Sequence, residues 1–252
     1  MDRPLFCKDA LQEIPSALSQ KSFTLVIMPN KLHIGLIGAN GRFGKAIQAL
    51  ASSRVTLQLF TKENPLDSSA KVDVLLDVSS AASLEEHLAI ALQTKTPIVV
   101  GTTGNIHSTN KPKFQVLKRA AALIPVFYSA NFSMGMALVH KIAGEWARKC
   151  DPESLVEIIE THHMSKKDTP SGTALMLAEA IKPSGKKVHI QSIRTGNMAG
   201  KHELHFRGAD EHLILIHEAQ NRNGFAKGAV LAACFLAHQP PGLYTMDSLD
   251  LT

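Results

Sequence analysis

Short apolar runs and amphipathic stretches alternate along the first half of the chain. The apolar runs predict five β-strands, at residues 32–37, 55–60, 72–78, 97–100 and 124–128. Between them, apolar positions recur at helical spacing and predict helices after residue 44, at 82–92 and at 114–122. Strands that alternate with helices predict a parallel sheet covered on both faces, which binds ligands at the carboxyl ends of its strands.

The pattern changes near Ser133. A long amphipathic helix is predicted at 134–148, and strand-like runs follow at 155–159, 188–194, 202–206 and 212–217. Most of these runs succeed one another without helices between them, which predicts an antiparallel or mixed sheet. A last, alanine-rich helix is predicted at 224–237, ended by Pro240-Pro241-Gly242. The expected class is therefore α/β, with a parallel-sheet domain and a second, α+β domain that begins near Ser133.

A glycine-rich loop follows the first predicted strand and precedes a helix. Its sequence is Gly38-Ala39-Asn40-Gly41-Arg42-Phe43-Gly44. Dinucleotide-binding folds use this order of strand, loop and helix, because glycines let the backbone approach a pyrophosphate at a helix N-terminus. The spacing is G-x-x-G-x-x-G rather than G-x-G-x-x-G, and three glycines could also mark an ordinary tight turn. We expect a nucleotide to bind here.

The end of the second strand bears on the choice of cofactor. It reads Thr61-Lys62-Glu63, where NAD-binding folds usually place an acidic residue that binds the ribose. Lys62, possibly with Arg42, could bind the 2′-phosphate of NADPH, whereas Glu63 could bind the ribose of NADH. We favour NADPH, with NADH also tolerated. The alternative is a Lys and a Glu that are neighbours on the surface without a role.

Two further strand ends carry small and polar residues. Gly101-Thr102-Thr103-Gly104 follows the fourth strand, and Ser129-Ala130-Asn131-Phe132 follows the fifth. Because they fall at the carboxyl edge of the predicted sheet, they could admit the nicotinamide end of a cofactor, and Asn131 offers amide hydrogen bonds. Ordinary turns would use the same residues.

The stretch from Glu157 to Thr173 carries the candidate chemistry; it reads E-I-I-E-T-H-H-M-S-K-K-D-T-P-S-G-T. It opens as a strand that gives way to polar residues at Thr161. It closes as a helix start, with Thr169 as the cap and Pro170 at the first helical position. The backbone amides of Ser171, Gly172 and Thr173 would then have no intrahelical partner, which makes an anion-binding site.

Two histidines and two lysines, His162, His163, Lys166 and Lys167, lie on the loop that leads to these amides. Their convergence with free helix amides predicts a functional site, and the alternative is a solvated loop before a capped helix. We expect no metal, because adjacent histidines such as His162 and His163 point apart and no nearby His or Cys completes a tetrahedral set.

Composition narrows the class of protein. The 252 residues include 27 Lys and Arg against 22 Asp and Glu, with no basic run, so a small anionic ligand is expected and nucleic acid is not. Three widely spaced cysteines indicate a reducing compartment, and no apolar stretch is long enough to span a bilayer. The expected location is the cytoplasm, without membrane contact. Residues 1–30 lack a secretory pattern and are expected to be a poorly ordered extension or to reflect a misplaced translation start.

Taken together, the motifs of this sequence resemble those of the dihydrodipicolinate reductase (4-hydroxy-tetrahydrodipicolinate reductase) family. The resemblance covers about residues 31–251. It rests on G-A-N-G-R-F-G at 38–44, V-G-T-T-G at 100–104, A-N-F-S at 130–133, E-x-H-H-x-x-K-x-D-x-P-S-G-T at 160–173 and G-L-Y-T-M at 242–246. Of these, the His-His, Lys and P-S-G-T combination is highly specific and the glycine loop alone is not.

The resemblance implies NAD(P)H-dependent reduction of dihydrodipicolinate, formed from 4-hydroxy-tetrahydrodipicolinate, to tetrahydrodipicolinate in diaminopimelate and lysine biosynthesis. It implies a Rossmann-like cofactor domain of residues 31–132 and 222–252, a mixed-sheet substrate domain of residues 133–221, and a homotetramer joined through the mixed sheets. The substrate is a small dicarboxylate and the expected cofactor is NADPH.

The resemblance also implies roles for single residues. His162 matches the catalytic histidine and Lys166 the proton donor, while His163, Gly172 and Thr173 match substrate contacts and Ser171 supplies a neighbouring amide. Cofactor contacts are implied for Gly38 to Phe43, Gly101 to Thr103 and Ser129 to Phe132. Phe43 departs from the family pattern, where Met is commoner.

Two rival functions remain open on the sequence. One is another amino-acid-pathway NAD(P) dehydrogenase with the same two-domain plan, which would not predict the His-His, Lys and P-S-G-T set. The other is a nucleotide-sensing protein that keeps the Rossmann half without catalysis. The intact acid and anion site argue against this second reading.

Overall fold

The computed structural model describes residues 31–102 and 112–249, which form ten strands and six α-helices. Six strands make a parallel sheet in the order β10-β5-β4-β3-β1-β2. They are β1 (Leu32–Ile37), β2 (Val55–Phe60), β3 (Val74–Asp77), β4 (Ile98–Val100), β5 (Pro125–Tyr128) and β10 (Gly242–Tyr244). The parallel sheet predicted from the sequence is confirmed, and β10, which no pattern predicted, extends it beside β5.

Helices cover both faces of this sheet. They are α1 (Arg42–Gln48), α2 (Leu84–Thr94), α3 (Pro112–Ala121) and α6 (Asn223–Leu236). Buried side chains of β1 alternate between two cores: Ile34 and Leu36 pack with α1 and α6, and Ile37 packs with α2 and α3. Because the inner strands β3, β4 and β5 are buried at every residue, burial on both faces stabilises the sheet by about 25 cal/mol per Å² of apolar surface removed from water.

The remaining four strands form a mixed sheet in the order β7-β6-β8-β9. They are β6 (Leu155–His162), β7 (Val188–Arg194), β8 (Lys201–Arg207) and β9 (His212–Glu218), and only β6 and β7 run parallel. Helices α4 (Met134–Lys149) and α5 (Gly172–Ile181) cover one face, over a core that includes Ile158, Leu177 and Phe206. This confirms the predicted mixed sheet.

Within the described residues, no helix covers the other face of the mixed sheet. We call it the open face. It carries four exposed apolar side chains: Leu155, Ile193, Ile214 and Ile216 are 67%, 44%, 43% and 55% exposed. Side chains on one face of a strand alternate with those on the other, so these residues lie opposite the buried core positions. The alternation explains why β7 and β9 are exposed at every second residue.

The chain leaves the parallel sheet after β5 and returns to it through α6. The two crossings touch at Gly228 of α6, where an added Cβ would overlap the carbonyl oxygen of Phe132. Glycine is therefore required at this position by close backbone approach. The contact fixes the outgoing segment against the returning helix.

Two expectations around the candidate site are wrong. Helix α5 begins at Gly172 with Ser171 as its N-cap, not at Pro170 with Thr169 as the cap, because the Ser171 hydroxyl accepts the Ala174 amide proton (3.2 Å). The Thr169 hydroxyl instead accepts a hydrogen bond from Arg194 (3.3 Å). Strand β6 also continues through Thr161 and His162, since both pair with neighbouring strands.

The expected N-terminal extension, residues 1–30, and the expected cofactor contact Thr103 lie outside the described residues. Within the ranges 31–102 and 112–249, no helix is both long and apolar enough to cross a membrane.

Candidate active site

A cavity of about 240 Å³ lies where the carboxyl edge of the parallel sheet meets the end of β6. It is lined by Phe43, Gly101, Ala130, Asn131, Phe132, His162, His163, Lys166, Thr173, Ala199, Gly200, His202, His217, Arg222 and Phe225. Both proposed catalytic residues and five of the proposed cofactor contacts therefore share one cleft. We call this cavity the cleft.

The remaining candidate residues of the described ranges do not line the cleft. These are Gly38, Ala39, Asn40, Gly41, Arg42, Gly44, Lys62, Thr102, Ser129, Ser171 and Gly172. Asn131 joins the two halves of the site, because its amide donates to the Thr173 hydroxyl (3.0 Å) and its carbonyl accepts the Ser133 amide proton (2.8 Å). The Asn131 side chain thus already forms hydrogen bonds that join the segment after β5 to helix α5.

His162 is the last residue of β6, and its ring is buried. Its Nδ1 is hydrogen-bonded to the Glu160 carboxylate, which is fully buried and held by both terminal nitrogens of Arg194 at 2.8 and 3.1 Å. Burial alone would raise the pKa of Glu160, but hydrogen bonds from His162, Arg194 and Ser192 outweigh it and lower the pKa to about 2. Glu160 is therefore an anion at neutral pH.

His202 stands edge-on to His162, with 5.1 Å between ring centroids. Burial, followed by the nearby His162, lowers the pKa of His202 to about 3, so its ring is neutral. Glu160, His162 and His202 place ligand-type atoms within 4.8 Å of one another, a grouping that the sequence analysis did not foresee. A metal would have to compete with the Arg194 guanidinium for the same carboxylate oxygens.

Lys166 is paired in the cleft. Its ammonium lies 2.8 Å from the Asp168 carboxylate. Burial would raise the pKa of Asp168, but the hydrogen bond and charge of Lys166 lower it, and the Gly172 amide adds to this effect. The Lys166 ammonium and the Gly172 amide therefore already contact the same carboxylate of the protein, that of Asp168.

The expected row of free amides is only partly present. The Ser171 amide donates to the Glu160 carboxylate (3.2 Å), so the expectation that it is free for a ligand is wrong. The cause is the burial of Glu160, whose oxygens take the nearest donors available. Thr173 lines the cleft itself. His163 is held there because its backbone amide donates to the Met198 carbonyl (3.1 Å) and its ring Nδ1 is hydrogen-bonded to the Ser165 hydroxyl (2.9 Å).

The glycine loop leaves the backbone room that a dinucleotide needs. Gly38 has a φ of +87°, and a Cβ on it would lie 2.8 Å from the Ser79 Cα. A Cβ on Gly44 would overlap the Gly38 carbonyl oxygen, and the N-terminus of α1 has no side-chain cap. Only glycine fits these positions, and the shape suits a pyrophosphate approaching the backbone.

The end of β2 lies against this loop, because the Phe60 carbonyl accepts amide protons from Gly38 (3.2 Å) and Ala39 (3.3 Å). The Glu63 carboxylate is turned back onto its own turn by the Thr61 hydroxyl (2.8 Å), which lowers the pKa of Glu63. Lys62 is exposed. The geometry leaves the cation more available to a ligand than the carboxylate.

Several residues of the cleft were missed by the sequence analysis. Arg222 caps α6 and lies near Arg42; burial, then the Arg42 charge, lowers the pKa of Arg222. Burial and then the charges of both arginines lower the pKa of His163, so Arg42 and Arg222 disfavour the protonated form of its ring. No motif marked Arg222.

The sequence did contain a signal for His217. It follows Leu213 and Leu215 at a spacing of two along β9, which places it on the same, covered face of the sheet. Its Nε2 contacts the Ser133 hydroxyl at 2.9 Å.

Comparisons with known proteins agree over both sheets. Residues 53–132 match the family model for the N-terminus of dihydrodipicolinate reductase, and residues 135–249 match the model for its C-terminus. The chain is 39% identical over 240 residues to the 4-hydroxy-tetrahydrodipicolinate reductase of Rickettsia rickettsii, covering 86% of this chain and 98% of that relative. It is 37% identical over 252 residues to that of Zymomonas mobilis, covering 87% and 97%.

Among solved structures, the fold resembles a dipicolinate-bound dihydrodipicolinate reductase from Paenisporosarcina sp. TG-14, with a TM-score of 0.65. That likeness covers 87% of this chain and 100% of the other at 22% identity, which speaks to the fold alone. The sequence matches carry the assignment, since they span both sheets and the residues of the cleft between them. On those matches, this chain belongs to the dihydrodipicolinate reductase family.

Proposed function

We propose that this chain reduces dihydrodipicolinate, formed from 4-hydroxy-tetrahydrodipicolinate, to tetrahydrodipicolinate with NAD(P)H, in diaminopimelate and lysine biosynthesis. The observation that carries the proposal is that Lys166 and His162 share one cleft with Gly101, at the carboxyl edge of a nucleotide-binding sheet. Membership of the family supports the same reaction.

Reduction of an unsaturated cyclic imine needs a hydride at one carbon and a proton at its neighbour. A reduced nicotinamide supplies the hydride when bound. Lys166 is proposed as the proton donor, because its ammonium is in the cleft and pairs with Asp168 at 2.8 Å. His162 is proposed to relay a proton or to stabilise developing charge.

The two carboxylates of the substrate require separate cationic or amide partners. We assign one carboxylate to Thr173 and His163, which line the cleft next to Lys166, with the Gly172 amide behind them beside Asp168. Arg222, which lines the cleft, supplies a second anion-binding site. The Ser171 amide is assigned to Glu160 and not to substrate.

We propose that the preferred cofactor is NADPH and that NADH is also accepted. The loop from Gly38 to Gly44 would hold the pyrophosphate, and exposed Lys62 with Arg42 would bind the 2′-phosphate. Gly101 with Ala130 to Phe132 would contact the nicotinamide end, with Thr102 and Ser129 behind them. Residues 31–132 and 222–252 form the proposed cofactor domain, and residues 133–221 the substrate domain.

A homotetramer joined through the open face is proposed from its four exposed apolar side chains. Apolar clusters of this kind on a flat sheet commonly mark association surfaces, because their burial removes apolar area from water.

The deciding experiment follows NADPH and NADH oxidation by the purified full chain with enzymatically generated dihydrodipicolinate. Turnover supports the proposal, and the ratio of the two rates decides the cofactor. Nucleotide binding without turnover would favour a sensor, and oxidation with a different amino-acid-pathway substrate alone would favour another dehydrogenase.

A further inference from the structure

A buried ion pair, Glu160 with Arg194, ties together three separate parts of the cleft. One Glu160 oxygen accepts His162 Nδ1, and the other accepts the Ser171 amide at the start of α5. Arg194 holds both oxygens and also donates to the Asp168 carbonyl at 2.7 Å. The pair thus connects the end of β6, the loop that carries Lys166 and Asp168, and the N-terminus of α5.

We propose that Glu160 and Arg194 are positioning residues for the reaction, which fix the tautomer of His162 and the register of the loop beside Lys166. The inference rests on the proposed function, because it assigns geometry to the residues of that reaction. Neither residue lines the cleft, so neither is expected to touch substrate.

The tautomer follows from hydrogen-bond roles. An ionised carboxylate only accepts, so His162 Nδ1 must carry the proton toward Glu160, and in the neutral form of the ring Nε2 is left bare. Nε2 lies beside Gly200 on the wall of the cleft, where an added Cβ on Gly200 would be 2.8 Å away. His162 is therefore oriented as a proton acceptor at Nε2, which favours proton relay over charge stabilisation among its two proposed roles.

Arg194 solves an electrostatic problem that Glu160 creates. A buried, uncompensated carboxylate is costly and would repel a dicarboxylate in the adjacent cleft. The planar guanidinium neutralises it through two parallel hydrogen bonds and still reaches the Asp168 carbonyl. Lysine carries the charge but cannot form this fork.

The first test uses two variants at Arg194, measured as kcat and KM with NADPH. Arg194→Ala should lower kcat by about 10²-fold, the scale of a small displacement of catalytic groups, with a smaller change in KM. Arg194→Lys should recover only part of the loss. Added guanidinium at low concentration should restore activity to Arg194→Ala, which a general structural role would not allow.

Arg119→Ala provides the matched control, because Arg119 is an exposed arginine of α3 away from the cleft. It should keep wild-type kcat and should not respond to guanidinium. Because Arg194→Ala leaves the buried Glu160 carboxylate without its cation and thereby costs stability, the neutral double variant Glu160→Gln/Arg194→Gln serves as a second test. It should fold and remain slow; wild-type kcat in this double variant would overturn the proposal.

The second test reads the tautomer directly, by ¹⁵N NMR of histidine-labelled full-length protein, with the His162 signals assigned by His162→Asn. The wild type should show a protonated Nδ1 and a bare Nε2 at His162. Glu160→Gln, whose amide can donate to Nδ1, should raise the fraction protonated at Nε2. A wild-type ring protonated at Nε2, or no change in Glu160→Gln, contradicts the inference.

The two proposals fail in different ways. If the wild type does not turn over the substrate, the proposed function is wrong while the tautomer measurement still tests the pair. If the wild type turns over but Arg194→Ala and the double variant are equally fast, only the inference about positioning is wrong.

Discussion

Single side chains in the cleft are held in defined charge states by buried neighbours. His202 is neutral because it is buried, and Glu160 is an anion because three hydrogen bonds outweigh its burial. Lys166 faces Asp168 at 2.8 Å and lines the cleft at the same time. The charge states at this site therefore depend on residues, such as Glu160 and Asp168, that contact the lining of the cleft without being part of it.

Removing the Lys166 ammonium tests its proposed role as the acid. Lys166→Ala should lower kcat by about 10²-fold or more, the usual effect of a lost general acid. Lys167→Ala is the matched control, since Lys167 is the next residue and is exposed. Steady-state kinetics with saturating NADPH provide the measurement, and near-native turnover in Lys166→Ala would remove it from the mechanism.

A methyl group at Gly200 should disturb His162 without touching any charge. The added Cβ would lie 2.8 Å from His162 Nε2, at a backbone φ of +151° that favours glycine. Gly200→Ala should lower kcat at least about 10-fold, on the scale expected for misplaced catalytic groups.

Gly196→Ala separates crowding from backbone strain. Gly196 also has a positive φ, +52°, but an added Cβ there meets nothing within 4 Å. Thermal unfolding should show a loss of about 1–3 kcal/mol at most in this control, with kcat unchanged. Equal kcat losses in the two variants would mean that strain, and not contact with His162, is responsible.

Whole elements followed the apolar pattern closely where that pattern is decided locally. The bounds of β1, β2 and β7 are those expected from the sequence, because each strand is marked by its own apolar or alternating residues. The end of β6 is different: Thr161 and His162 are polar, and only their pairing partners on β7 and β8 keep them in the strand. Such partners are distant in sequence and leave no local signal.

The start of α5 shows the same limit. Thr169-Pro170 is a common way to begin a helix, and the sequence alone favoured it. In the structure Thr169 is drawn to Arg194, which is 25 residues away, and Ser171 becomes the cap. Arg194, Arg222 and His202 entered the site for the same reason, because no motif joins them to the histidines of β6.

Truncating the observed cap should weaken α5 measurably. Ser171→Ala removes the acceptor for the Ala174 amide and the contact with His202 (3.2 Å), and should reduce unfolding free energy by about 1 kcal/mol. Chemical denaturation of Ser171→Ala and Thr169→Ala side by side provides the measurement. A larger loss for Thr169→Ala would support the helix start expected from the sequence.

At the scale of the whole molecule, the parallel sheet and the mixed sheet share one cleft. The sequence predicted that the loop carrying His163 and Lys166 would lie near the ends of the parallel strands. In the structure, residues of both line the same cavity. What it could not predict is which side chains of the mixed sheet would reach the cleft, since that depends on how the two sheets are packed. The cofactor preference and the association state remain proposals for the same reason.

Charge placed on the open face should break the proposed tetramer. Ile216→Lys puts an ammonium on a side chain that is 55% exposed and lies beside Ile214 on the open face of β9, where burial against a second chain would be costly. Sedimentation velocity should show smaller species than the wild type. Leu123→Lys is the control, because Leu123 is 69% exposed but follows α3, away from the mixed sheet. A wild type that sediments as a single chain would contradict the proposal at once.

The contact between Gly228 and the Phe132 carbonyl brings the outgoing and returning crossings of the chain to one point. A long insertion whose two ends meet in this way can be replaced or resized without shifting the strands that it interrupts. The nucleotide-binding sheet therefore places little restriction on which reaction is grafted onto it. A different insert, joined at the same two neighbouring sites, would give the same half-molecule a new substrate.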